Sequence, residues 1–227
     1  MRCHVAFTPA EASPAPLGVV VDVMRATSTI AQALASGYRR VLCCAEIDDA
    51  LALRAELGDE AITGGERDAQ RVAAFDAGAS PREFREPRAE TLILSTTNGT
   101  RSIVAAAEAC DEVVLGALLN LDAVAGRARE GVEDVTVLCA GYKGRFAIDD
   151  AYCAGRILRL VGGERTDAAV AAELIADRFP EATDGINART YGPPGLEDDI
   201  AWCAQVSVLE IVPRFSRMVG PAAEVVA

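Results

Sequence analysis

The chain has 227 residues, 51% of them hydrophobic, which is enough to bury one substantial core or two tightly joined lobes. With 22 basic and 34 acidic side chains its formal charge is −12, which argues against nucleic acid and anionic membrane surfaces as partners. No segment resembles a signal peptide or reaches the roughly 18 apolar residues that span a bilayer, so we expect a cytoplasmic protein.

Apolar strand-like runs alternate with alanine-rich helical patterns along the chain. In order, each strand followed by its helix, they are LGVVVDV (17–23) and ATSTIAQALASG (26–37), RVLCCA (40–45) and DDALALRAELG (48–58), TLILS (91–95) and NGTRSIVAAAEA (98–109), EVVLGA (112–117) and LDAVAGRARE (121–130), VTVLCA (135–140) and DDAYCAGRILRLVG (149–162). This alternation predicts a three-layer α/β/α fold with a mostly parallel or mixed sheet. We expect one domain over residues 1–227, with two closely packed α/β lobes as the alternative.

Two segments depart from the alternation. Residues 66–90 are rich in Arg, Asp, Gly and Pro, and a loop of this length in a compact domain is more often functional than idle. Beyond about residue 165 the pattern is mainly helical until VSVLEIVP (206–213), which predicts a last strand. The Ala- and Val-rich tail past Pro213 suggests a surface for a second copy of the chain, and hence a homo-oligomer.

Ligands of open parallel sheets bind beyond the carboxyl ends of the strands, and the first such position here holds Asp22 and Arg25. A carboxylate at the end of a buried strand needs a partner. In one interpretation Asp22 pairs with Arg25 or caps the next helix. In the other, Asp22 is a metal ligand, and Arg25 with Thr27 and Ser28 clamps an anion.

Residues 95–100, STTNGT, form the second such position. Hydroxyl groups and a glycine at a helix start present unpaired N–H groups and the positive end of the helix dipole, which suits a phosphate or a sulfonate. The alternative is simple capping of the helix by Thr97 or Asn98. Asp149 and Asp150, at the third position, would either add carboxylates to a metal site or complement the dipole of their own helix.

Cysteine chemistry is a second possibility at the third position, because Cys139 and Arg145 have the outline of a cysteine-dependent phosphatase loop. Its glycines are misplaced, however, and no histidine precedes the cysteine. The seven cysteines are odd in number and scattered, as is typical of small core residues. His4 is the only histidine, which excludes a mechanism that needs two of them.

Five segments occur in the order found in one known family: VVVDVMRATSTI (19–30), GGERDAQRVAAFDAGASP (64–81), LILSTTNGTRSI (92–103), CAGYKGRFAIDDAYCAG (139–155) and LEDDIAWCAQVSVLEIVP (196–213). From about residue 4 to 214, the chain resembles the 2-phosphosulfolactate phosphatase family, called ComB. The resemblance implies a magnesium-dependent phosphatase that converts 2-phospho-3-sulfolactate to 3-sulfolactate and phosphate, a reaction of coenzyme M biosynthesis in methanogens. The chain departs from the family at two positions: it has Ala79 where the family usually has Asn, and Asp149 where the family usually has Glu.

These observations give one hypothesis for the site, with Mg²⁺ as cofactor and a small anionic phosphate ester as substrate. The expected catalytic residues are Asp22, Arg25 and Asp150. The expected substrate-binding residues are Thr27, Ser28, Arg67, Thr96, Thr97, Asn98, Gly99 and Thr100. The expected metal ligands are Asp22, Glu66, Asp149 and Asp150. A cysteine phosphatase based on Cys139 and Arg145, and a binding protein for anionic metabolites without catalysis, are the alternatives.

Overall fold

A computed structural model describes residues 1–131, 133–190 and 194–227. Its strands are β1 (Arg2–Ala6), β2 (Ala15–Val21), β3 (Arg40–Cys44), β4 (Ala61–Arg67), β5 (Gln70–Arg71), β6 (Thr91–Ser95), β7 (Cys110–Gly116), β8 (Asp134–Cys139), β9 (Glu164–Arg165), β10 (Arg214–Val219) and β11 (Ala222–Val226). Its α-helices are α1 (Ala26–Ala35), α2 (Ile47–Leu57), α3 (Gly99–Ala109), α4 (Leu121–Arg129), α5 (Ile148–Val161), α6 (Asp167–Arg178), α7 (Ala182–Asn187) and α8 (Glu197–Cys203). Within these ranges, no helix is long and apolar enough to cross a membrane.

The strands form one mixed sheet in the order β5-β4-β6-β3-β11-β10-β7-β2-β8-β1-β9. Strands β4, β6 and β3 are parallel to one another, and so are β7, β2, β8, β1 and β9. The antiparallel hairpin β10–β11 joins these two groups. Three antiparallel pairings therefore lie between β3 and β7.

Helices cover both faces of the sheet, which gives the predicted three-layer α/β/α architecture. Strand β2 shows why, because successive side chains of a strand point to opposite faces. Val19 and Val21 pack with α4, α5 and α6 on one face, whereas Val20 packs with α1 and α3 on the other. Helix α2 covers a third cluster at the β3–β6 end of the sheet. A strand buried on both faces reads as a continuous apolar run, as VVV does here.

The C-terminal part of the fold differs from the prediction. Residues 206–213 are not a strand but an extended connection, in which the N–H groups of Ser207 and Leu209 donate to the carbonyls of Leu118 and Leu119. The last strands are β10 and β11, which begin after Pro213. Ala222, Ala223 and Val225 of β11 are buried inside this chain, so the tail completes the centre of the sheet. The homo-oligomer stays a prediction.

The sheet contains further strands that the alternation did not predict, among them β1 and β4. Strand β1 lies beside β8, and β4 extends the β6 side of the sheet, ending where the predicted long loop begins. The loop holds little regular structure beyond the two-residue β5 and a 3₁₀ turn at Pro81–Phe84, as expected.

Candidate active site

A pocket lies beyond the ends of β2, β4 and β6, at the first two of the predicted positions. The predicted residues that line it are Asp22, Arg25, Glu66, Thr96, Thr97 and Asn98. Asp68, Ala79, Tyr142, Arg189 and Leu196 also line it. The pocket thus brings together residues from all five of the family-like segments, and Arg189 adds a contribution from the segment after α7.

The loop between β2 and α1 holds Asp22 at the pocket through a set of short-range hydrogen bonds. One carboxylate oxygen of Asp22 accepts the Ala26 N–H at 3.2 Å. The Thr27 hydroxyl donates to the Asp22 carbonyl at 2.9 Å, and the Ser28 hydroxyl donates to the Val23 carbonyl at 2.8 Å. Thr27 and Ser28, which we predicted to bind substrate, are fully buried and do not line the pocket, so they brace the loop instead.

The environment of Asp22 disfavours its negative charge. Burial is the largest cause and raises the pKa of Asp22 to about 7, against the opposing hydrogen bond from the Ala26 N–H. The negative charges of Glu66 and Asp149 raise the pKa further, whereas Arg25 lowers it. A cation bound beside Asp22 would relieve this accumulation of negative charge.

Arg25 lines the pocket but takes its ion-pair partner from another part of the chain. Its Nη1 donates to a carboxylate oxygen of Asp199 at 2.5 Å, and both side chains are buried. Its Nη2 donates to the Ala69 carbonyl at 3.3 Å. The second Asp199 oxygen accepts the Ser80 hydroxyl at 2.5 Å. The predicted alternative of an Asp22–Arg25 pair is therefore replaced by an Arg25–Asp199 pair, which fixes the guanidinium at the pocket wall.

Gly99 begins α3 at the point where this helix meets the Asp22 loop. A Cβ atom at Gly99 would lie 2.4 Å from Ala26 Cβ and 3.1 Å from an Asp22 carboxylate oxygen. Only a glycine allows this close approach. The start of α3, with its unpaired N–H groups, is thereby held against Asp22.

Glu66 ties the tip of β4 to the turn that follows β6. Its two carboxylate oxygens accept the N–H groups of Thr97 at 2.8 Å and Ala69 at 2.7 Å. The Thr97 N–H, which we predicted to bind substrate, is therefore already engaged. The Thr100 hydroxyl is engaged as well, because it donates to the Cys44 carbonyl at 3.1 Å.

Arg67 points away from the pocket and joins three strand ends. It donates to the carbonyls of Glu66 at 2.7 Å and Ala45 at 2.8 Å, and to the Ser95 hydroxyl at 3.0 Å. It does not line the pocket, and neither do Gly99 and Thr100. These three predicted binding residues shape the strand tips around the site.

Asp150 is buried beneath the pocket, where it joins the ends of β2 and β8. Its two oxygens accept the N–H groups of Val23 and Gly141, both at 2.9 Å. Burial, with the nearby charges of Asp149 and Asp22, raises the pKa of Asp150 well above its ordinary range. Neither Asp149 nor Asp150 lines the pocket. In the part of the chain that the structure describes, no three Asp, Glu, His or Cys side chains are grouped to hold a metal ion.

The geometry around Cys139 does not suit a nucleophile. Its side chain is fully buried, and burial raises the pKa of its thiol well above 9.0, with Asp150 raising it further. A thiol in this environment stays protonated and unreactive. Arg145 is exposed in a tight turn, where its N–H and carbonyl pair with those of Tyr142. The pair therefore lacks the anion-binding loop that a cysteine phosphatase needs.

Within residues 1–131, 133–190 and 194–227, two polar groups at the pocket have no hydrogen-bond partner. They are the hydroxyl of Thr97 and the Nη1 atom of Arg189, both buried. Unsatisfied buried donors are rare in folded proteins and call for an explanation such as a bound ligand. Arg189 was not among the predicted site residues, because nothing in its local sequence separates it from the other arginines. Asp199, in the segment LEDDIAWC (196–203), was not predicted either.

Comparison with known proteins places the chain beside one enzyme group. Residues 4–217 match the family described as 2-phosphosulpholactate phosphatase. The chain is 35% identical to a probable 2-phosphosulfolactate phosphatase of Thermus thermophilus, over 98% of each chain. It is 35% identical to the 2-phosphosulfolactate phosphatase of Methanothermobacter thermautotrophicus, over 95% of this chain and 92% of that one. A probable enzyme of the same name from Clostridium acetobutylicum is 35% identical, over 87% and 88% of the two chains.

Proposed function

The chain belongs to the 2-phosphosulfolactate phosphatase family of phosphoric monoester hydrolases, and on this premise we propose that it hydrolyses 2-phospho-3-sulfolactate to 3-sulfolactate and phosphate with the help of Mg²⁺. The observation that carries the proposal is the pocket at which Asp22, Glu66 and Arg25 converge with the turn after β6. The seven cysteines of the chain are all free thiols, which supports a reducing, cytoplasmic location for the protein.

The residues at the pocket fit a magnesium ion. Mg²⁺ in phosphoryl-transfer sites is commonly bound by one or two carboxylates, with waters and substrate oxygens completing its shell. Asp22 and Glu66 both line the pocket, and each Glu66 oxygen that accepts one N–H keeps a second lone pair. We therefore assign Asp22 and Glu66 as the ligands. When bound, the ion supplies positive charge to phosphoryl oxygens that are otherwise repelled by these carboxylates.

The remaining groups orient the substrate. Arg25, fixed by Asp199, presents its guanidinium to the phosphoryl oxygens, and α3, whose N-cap residue Asn98 lines the pocket, adds the positive end of its dipole. Water attacks phosphorus in line, the bond between phosphorus and the ester oxygen breaks, and a proton from solvent completes the hydroxyl of 3-sulfolactate. Because charge develops on oxygens that already face these donors, each well-placed donor contributes on the order of 3 kcal/mol.

A phosphate-release assay with 2-phospho-3-sulfolactate tests the proposal and its two alternatives. We expect release in the presence of Mg²⁺, loss of release with EDTA, and full release by a Cys139→Ala variant. A cysteine phosphatase would give the opposite pattern, retaining activity in EDTA and losing it in the variant. A binding protein without catalysis would show thermal stabilisation by the ester but no release of phosphate.

A further inference from the structure

Arg189 reaches the pocket because the short helix α7 is packed tightly against α5. A Cβ atom at Gly185 would lie 2.5 Å from the Tyr152 ring, so this face of α7 rests directly on the aromatic side chain. Ile186, the next residue, is fully buried in the same core. Arg189 follows the helix by two residues and, with Leu196, forms the pocket wall that does not come from strand tips.

The two arginines that line the pocket differ in their partners. Arg25 is held by the Asp199 carboxylate and the Ala69 carbonyl. Arg189, in contrast, has a buried Nη1 atom without a hydrogen-bond partner among the residues that the structure describes. Burying a guanidinium N–H without an acceptor destabilises the protein, because its hydrogen bonds to water are lost and not replaced. An anionic group of a ligand would supply the missing acceptor.

The charges around the pocket indicate which group of the substrate accepts the hydrogen bond from Arg189. Asp22 and Glu66 belong to the strand tips, where the proposed metal and the phosphoryl group lie. Arg189 also lines the pocket but comes from the segment after α7, and a planar guanidinium is suited to paired oxygens of a carboxylate or a sulfonate. We propose that Arg189 binds the carboxylate or the sulfonate of the substrate, which the reaction leaves intact. Arg189 would thereby determine the specificity for phosphate esters that carry such an additional acid group. This inference rests on the proposed function.

Four esters distinguish the possible contacts. They are 2-phospho-3-sulfolactate, 2-phospholactate, which lacks the sulfonate, 1-sulfopropan-2-yl phosphate, which lacks the carboxylate, and isopropyl phosphate, which lacks both. We expect Arg189→Gln to lower kcat/KM for 2-phospho-3-sulfolactate by about 30-fold, mainly through a higher KM. Activity on isopropyl phosphate should change by less than about twofold. The single-acid ester that shows the loss identifies the bound group as sulfonate or carboxylate.

The matched control is Arg39→Gln, which removes the same charge from an exposed ion pair with Glu90 outside the pocket. It should leave all four kcat/KM values unchanged. An equal loss for all esters in Arg189→Gln, including isopropyl phosphate, would overturn the proposal, because Arg189 would then act on the phosphoryl group or on folding. No loss for any ester would overturn it as well.

Calorimetric binding of 3-sulfolactate separates this inference from the proposed function, because it requires no hydrolysis. We expect Arg189→Gln to weaken this binding by about tenfold or more. If the wild-type protein hydrolyses none of the esters but binds 3-sulfolactate through Arg189, the proposed function fails and the anion site stands. If the protein hydrolyses the ester but Arg189→Gln changes neither the binding of 3-sulfolactate nor kcat/KM, only this inference fails.

Discussion

Asp199 accepts a 2.5 Å hydrogen bond from Arg25, although 174 positions separate the two residues in the chain. Because Asp199 does not itself line the pocket, we expect Asp199→Asn to act through Arg25 and to lower kcat/KM by roughly tenfold. Asp198→Asn is the matched control, since this neighbouring carboxylate is exposed and pairs with Arg82. Steady-state kinetics of the two variants, with folding checked by circular dichroism, would refute the role if both behaved alike.

Thr97 offers a test in which stability and activity change in opposite directions. Its hydroxyl is buried without a partner, so Thr97→Val should leave the free energy of unfolding unchanged or raise it by about 1 kcal/mol. Activity should fall by about tenfold if the hydroxyl contacts the substrate. At Thr100, whose hydroxyl does donate a bond, the same substitution should instead destabilise the protein by about 1 kcal/mol. Denaturant unfolding and phosphate release measured in parallel would expose a failure of either expectation.

Gly99 is the contact point between α3 and the Asp22 loop. We expect Gly99→Ala to destabilise the protein by about 1–3 kcal/mol and to abolish most activity, because the new methyl group would collide with Ala26 and crowd Asp22. In Gly126→Ala, the added methyl meets no side chain closer than Arg129 at 4.0 Å, and a helix-interior alanine should raise stability by about 1 kcal/mol. Thermal unfolding measures whether each substitution lowers or raises the stability of the protein. Full activity in Gly99→Ala would mean that the close approach is not needed.

Asp150 should contribute mainly to stability, because both of its oxygens already accept backbone N–H groups. An asparagine offers only one acceptor oxygen and would set its own NH₂ against the other N–H. We expect Asp150→Asn to lower the free energy of unfolding by about 2–4 kcal/mol, and Asp111→Asn at an exposed position to change it by less than about 0.5 kcal/mol. A variant that kept full stability but lost magnesium-dependent activity would return Asp150 to the metal site.

Glu224 gives the fold a pH-dependent ion pair far from the pocket. Burial alone would raise the pKa of Glu224, but hydrogen bonds from Arg217 and Arg40 outweigh it and hold the pKa below its ordinary value of 4.5. A lowered folded pKa stabilises the native state above 4.5, and this contribution is lost as the pH falls through the folded pKa. Glu224→Gln should therefore lower the free energy of unfolding at pH 7 by about 1–3 kcal/mol, with the difference disappearing in acid.

The same substitution at Glu90 provides the control for Glu224. Glu90 pairs with Arg39 at an exposed site, where ion pairs contribute little. Glu90→Gln should change the free energy of unfolding by less than about 0.5 kcal/mol at any pH. Chemical denaturation of both variants between pH 3 and pH 8 measures the difference, and a Glu224 effect that persisted in acid would contradict the ion pair as its cause.

The alternation of apolar strands with helical patterns was sufficient to predict the α/β/α layers. Runs such as VVV in β2 are apolar on both faces because helices cover both, and this constraint is visible in the sequence itself. The position of the C-terminal residues in the sheet could not be predicted from the sequence. Residues 206–213 and the tail after Pro213 have similar apolar content, and only strand pairing at the centre of the sheet selects the tail. Strand pairing depends on partners more than a hundred residues away.

For the site, the sequence by itself determined which strand tips carry unusual polar residues, and Asp22, Glu66 and Asn98 do line one pocket. Only the tertiary structure decided how each polar group is used. It directs Thr27, Arg67 and Asp150 to backbone partners and leaves the hydroxyl of Thr97 unpaired. It also brings Arg189 to the pocket from the segment after α7. The physical reason is that a polar residue's role depends on whether a partner lies within hydrogen-bond distance, and those partners come from segments that local sequence does not specify.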